Sequence, residues 1–98
     1  MSEIIREYYE KNKAPEFLVK RKLKQLDKHQ DIAAEFENWI QNGDYKSAQP
    51  VAVEGYTAKK LSEVSKYLDG EGAFMMLIEL REKPKKALKQ ITEGIKIK

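Results

Sequence analysis

The sequence predicts an all-α protein, a compact bundle of five to six short helices forming one domain over residues 1–98. Three observations carry that expectation. Apolar residues recur three and four apart in successive stretches, the period of a helix with one buried face. Helix breakers fall between those stretches at roughly the spacing of ordinary helix lengths. Finally, 98 residues that are 41% hydrophobic and 36% charged are enough for one modest core, but not for a core plus a deep enclosed pocket.

The first helix runs from Ser2 to Lys11, because Ile4 with Tyr8 and Ile5 with Tyr9 lie four apart. Ser2 serves as its cap, and Glu3 suits the positive end of the helix dipole. Asn12-Lys13-Ala14 breaks the pattern, and Pro15 opens a second helix that continues to Lys28; proline's missing N–H and fixed φ fit a first helical position. Its stripe is Val19, Leu23 and Leu26, widened by Phe17 and Leu18 and with Phe17 read as a core residue. Asp31, with Gln30 and Asp27 as alternatives, caps a third helix. Ile32, Ala33, Phe36, Trp39 and Ile40 form its apolar stripe, and Gly43 ends it in the left-handed conformation.

Residues 44–55 are irregular. Gln49-Pro50-Val51-Ala52-Val53 is either a short strand or an extended arm. Thr57 caps a fourth helix, Ala58 to Leu68, with Leu61, Val64, Tyr67 and Leu68 on one face. After the turn Asp69-Gly70-Glu71-Gly72 comes the most apolar run, Ala73-Phe74-Met75-Met76-Leu77-Ile78. Met, Leu and Ala favour a helix there, and a helix apolar on nearly every side must be central. Lys83-Pro84 stops it. A last helix follows through Glu93, with Leu88 and Ile91 facing in and Gly94 as its cap. Ile95-Lys96-Ile97-Lys98 then either frays or pairs with 51–53 as a minimal two-stranded ribbon. The expected core is Phe36, Trp39, Ile40, Leu61, Val64, Leu68, Phe74, Leu77 and Ile78.

Several function classes recede on composition. No apolar run approaches the ~18 residues a membrane span needs. The N-terminus lacks the basic, apolar and cleavage segments of a signal peptide, so secretion by that route is not expected. Cysteine is absent, which removes disulfides, thiolate metal sites and cysteine nucleophiles. His29 is the one histidine. Without a second histidine or a thiol beside it, a solvated helix-junction residue is the stronger reading than a metal or acid–base site. Glu35 and Glu37 do not share a helix face, and Asp69-Gly70-Glu71-Gly72 lacks the spacing of a calcium loop. Neither a catalytic residue, nor a metal site, nor a cofactor is expected. Met75 and Met76 read as core rather than as an adaptable groove.

Charge is segregated along the chain, although the net charge of +3 is too small to imply nucleic acid by itself. Lys20, Arg21, Lys22, Lys24 and Lys28 face only Asp27 between Phe17 and His29. The third helix is acidic. From Arg81 onward seven basic residues stand against Glu82 and Glu93, a local charge of +5. Lys83, Lys85, Lys86 and Lys89 are therefore the candidate nucleic-acid-binding residues, for weak, salt-sensitive contacts to phosphate. Single-strand recognition also calls for exposed aromatics, which that stretch lacks. Tyr56 to Val64 looks like the start of a helix-turn-helix, but the next helix would then have to present Phe74 to Ile78 to the groove. Trp39, Tyr45 and Tyr56 are the candidate anchors for a protein partner.

Two runs, Pro50-Val51-Ala52-Val53-Glu54-Gly55-Tyr56-Thr57-Ala58-Lys59-Lys60-Leu61 and Leu68-Asp69-Gly70-Glu71-Gly72-Ala73-Phe74, resemble small proteins of unknown function from Gram-positive, Clostridia-like bacteria. The resemblance covers roughly the C-terminal half and implies a cytoplasmic bacterial protein. It transfers no functional residue. The expectation is a non-catalytic protein-interaction or regulatory module. An accessory nucleic-acid binder is the alternative, and an enzyme a distant third. No membrane contact is expected. Monomer and homodimer stay open, the latter by sharing the Phe74–Leu80 helix.

Overall fold

The computed structural model describes residues 3–45, 53, 55–64 and 68–97, with side chains through Ile91. The fold is all-α. Among the described residues there are six helices: α1 (Glu3–Lys11), α2 (Glu16–Asp27), α3 (Gln30–Asn42), α4 (Ala58–Val64), α5 (Glu71–Glu82) and α6 (Pro84–Ile97). They fall into two compact units, Met1–Lys46 and Ser47–Lys98.

In the first unit α1, α2 and α3 pack pairwise. The spacing of the apolar residues decides which faces meet. Ile5 and Tyr9 on α1, Val19, Leu23 and Leu26 on α2, and Ile32 and Phe36 on α3 are buried. Helix α1 closes through a tight motif: the Ala14 N–H donates to the Tyr9 carbonyl at 3.0 Å and the Lys13 N–H to the Glu10 carbonyl at 3.0 Å. That pair of bonds places the intervening residue in the left-handed region. Here it is Lys13, with φ +59°, rather than the usual glycine. Pro15 is extended and precedes α2 by one residue; its carbonyl accepts the first bonds of the helix, from Leu18 and Val19. His29 occupies the N-cap position of α3, in place of Asp31, Gln30 or Asp27, without a capping bond from its side chain. Asp31 sits inside the first turn, where its charge meets the helix dipole. Gly43, at φ +75°, ends α3 by donating to the Trp39 carbonyl at 2.8 Å.

In the second unit α5 packs against both α4 and α6. Ala73, Phe74, Met76, Leu77, Ile78 and Leu80 are all buried on it. Thr57 is the expected cap of α4: its Oγ1 accepts the Lys60 N–H at 3.1 Å, and the residue is only 7% exposed. Gly70 leads into α5 at φ +59°, ψ −129°, a conformation that side chains other than glycine's rarely adopt.

Further expectations are corrected. Gly94 does not cap α6, and residues 95–97 are helical rather than extended. One glycine inside a helix costs only about 1 kcal/mol relative to alanine, and Ile91 and Ile95, four apart, keep the helical period going. The ribbon between 51–53 and 95–97 is thereby lost; Val53 instead forms an isolated bridge with Tyr56, and Val51 and Ala52 lie outside the described residues. Leu88 is 39% exposed, the inward positions of α6 being Ala87 and Ile91. Trp39, Ile40, Val64 and Leu68 are half-buried rather than core. Helix α4 is described to Val64, and Tyr67 lies outside the described residues.

Candidate functional site

A continuous chain of rings runs through the first unit. Tyr9 meets Phe36 edge-on at 6.0 Å between centroids, Tyr8 meets Phe36 at 5.5 Å, and Tyr8 meets Trp39 at 5.6 Å. The chain ends where Tyr45 stacks on Trp39, with centroids 6.0 Å apart and planes within 15°. Tyr9 and Phe36 are buried, while Tyr8, Trp39 and Tyr45 are half-buried. The rings thus grade from core to surface. Such pairs stabilise beyond the area they cover by about 0.5–1.5 kcal/mol each. The left-handed turn at Gly43 redirects the chain as α3 ends, two residues before Tyr45.

Of the three aromatic anchors expected from sequence, Trp39 and Tyr45 are together in the first unit. Tyr56 belongs to the second, where its ring lies 5.2 Å from the Lys60 ammonium and its N–H donates to the Val53 carbonyl at 2.7 Å. Tyr8 completes the surface end of the ring chain and was not among the sequence candidates; its spacing of four from Ile4 pointed to burial instead.

Lys83, Lys85, Lys86 and Lys89 are all exposed, at the junction of α5 and α6 and on the first two turns of α6. Lys83 joins the two helices, its N–H donating to the Glu79 carbonyl at 2.6 Å and its carbonyl accepting from Ala87 at 3.0 Å. The first turn of α6 carries no acid, so its lysines face a helix end that is already positive.

The second basic stretch lies differently from its sequence reading. Phe17 is 70% exposed and is not a core residue. At 3.6 residues per turn it sits about 150° around α2 from the centre of the stripe Val19, Leu23, Leu26. It shares the outer face with Lys20, Arg21 and Lys24, all exposed. A strict helical wheel over 17–28 carries that signal in the sequence.

His29 is half-buried at the turn between α2 and α3, its N–H donating to the Leu26 carbonyl at 3.0 Å. Among the described residues no three His, Asp or Glu side chains converge to hold a metal ion. Among those residues too, no helix is long and apolar enough to cross a membrane. Of the apolar residues of α5 that a helix-turn-helix would have to present to DNA, Phe74, Met76, Leu77 and Ile78 are buried and Met75 is half-buried. No protein-family model, curated protein or solved structure matches the chain.

Proposed function

We propose that the chain is a non-catalytic protein-interaction module of the cytoplasm, with the Trp39–Tyr45 stack as the anchor offered to a partner. The observation that supports this is the half-buried stack at the surface end of a ring chain rooted in the core. Aromatic side chains of this kind are the commonest energetic centres of protein interfaces, since they add large contact area for few rotatable bonds. Rooting Trp39 on Phe36 and Tyr8 holds the anchor in place before binding, which lowers the entropy lost on association.

The test is affinity capture from cells that express the protein, using the wild-type chain, Tyr45→Ala and Lys85→Gln/Lys86→Gln in parallel. Tyr45 follows the end of α3, so its truncation leaves the helices in place. The proposal expects a polypeptide retained by the wild type and the lysine variant and lost with Tyr45→Ala. Retention that is indifferent to Tyr45, or that fails with the lysine variant alone, contradicts it.

A further inference from the structure

We infer that the outer face of α2 binds single-stranded nucleic acid, with Phe17 stacking on a base and Lys20, Arg21, Lys24 and Lys28 holding the adjacent phosphates. Phe17 is the most exposed large hydrophobic residue described, at 70%. On a helical wheel the four cations lie within about 60° of it on either side. The face from Phe17 to Lys28 extends about 16 Å along the helix axis at 1.5 Å per residue, enough for a short stretch of strand.

The charge on this face is available. Glu16, the acid next to Phe17 in sequence, is held by the Arg6 guanidinium at 3.4 Å. Arg6 also reaches Glu10, at 4.0 Å. Among the described residues no ion pair engages Lys20, Arg21, Lys24 or Lys28. Lys22 lies apart from this set, its ammonium 5.8 Å from the Tyr9 ring. An exposed ring within a row of cations is the arrangement by which proteins hold single strands without reading their sequence: the ring takes the face of a base, and the cations track the backbone. Arg21 adds a second planar group able to stack.

Other occupants fit the face less well. In a duplex the bases are already stacked, so Phe17 would gain nothing there. An anionic bilayer would bind through the apolar face of an amphipathic helix, but the apolar stripe of α2 is buried within the first unit. A second copy would bring the same cations against each other.

The experiment is fluorescence polarisation of labelled oligothymidylate and oligouridylate across a salt series, beside a duplex of equal length and vesicles of mixed neutral and anionic phospholipid. Three to four phosphate contacts predict that the logarithm of affinity falls with the logarithm of salt at a slope of about −2 to −3. Phe17→Ala weakens strand binding at least about fivefold, the low end of what one stacked base contributes, and Phe17→Tyr retains it. Lys20→Glu with Arg21→Glu abolishes binding, while Lys85→Glu with Lys86→Glu leaves it in place. Circular dichroism melts confirm that each variant stays folded. The inference is overturned by absence of strand binding at low salt, by Phe17→Ala binding as the wild type does, by tighter binding to duplex than to single strand, by loss through the α6 pair alone, or by Phe17-dependent binding to vesicles in place of strands.

Discussion

Helices α2 and α5 are both twelve residues long, yet they meet water in opposite ways. Helix α2 buries three residues along one stripe and turns a phenylalanine and a row of cations outward. Helix α5 buries six, across an arc of about 200° of its circumference, and packs against both α4 and α6. The difference separates two uses of the same element. A helix surrounded by neighbours contributes mostly to stability and has little surface left for a ligand. A helix anchored by one stripe keeps a free face, and that face can be specialised without disturbing the core.

Substitutions can break or sharpen this contrast. The largest effect is expected for Phe74→Ala on α5, about 3–5 kcal/mol. That is a large share of the 5–15 kcal/mol typical of a folded domain, and it would be read as a drop in the urea midpoint. Leu23→Ala on the buried stripe of α2 should lose about 2–4 kcal/mol by the same measurement, because α2 too depends on the residues it buries. Thr57→Ala, which removes the cap of α4, should lose about 1 kcal/mol. Lys13→Gly goes the other way: it relieves a left-handed lysine at the end of α1 and should raise stability by up to about 1 kcal/mol. Phe17→Ala should change stability by less than about 0.5 kcal/mol. A loss from Phe17→Ala comparable to that from Phe74→Ala would erase the distinction between the two helices.

Most of the architecture was legible as periodicity and punctuation. The stripe Val19, Leu23, Leu26 is buried as spaced, Gly43 is left-handed, Thr57 caps α4, and Ala73–Ile78 is helical and buried at every position but the half-buried Met75, although six consecutive apolar residues also suit a strand. The misreadings have a common physical origin. Gly94 is a weak stop when the apolar period continues through Ile91 and Ile95. Asp31 is a good cap by chemistry, but α3 starts at Gln30, where the turn after α2 lets the helix begin. Trp39 and Leu88 are apolar enough for a core, yet their burial depends on neighbours supplied by other elements, which one helix's pattern does not contain. The candidate site was legible in part. Trp39 and Tyr45 stand out in sequence as aromatics at and just beyond the end of α3, whereas the exposure of Phe17 is legible only from its angle around α2, since its nearness in sequence to the buried stripe points the other way.

The contrast rests on three phenylalanines, Phe17, Phe36 and Phe74, the only ones in the chain. Fluorophenylalanine incorporation followed by fluorine NMR in light and heavy water reads all three at once. The account predicts one resonance that shifts with the solvent isotope and disappears in Phe17→Ala, beside two that do not respond. Three equal responses, or a Phe17 signal as insensitive as that of Phe74, would contradict it.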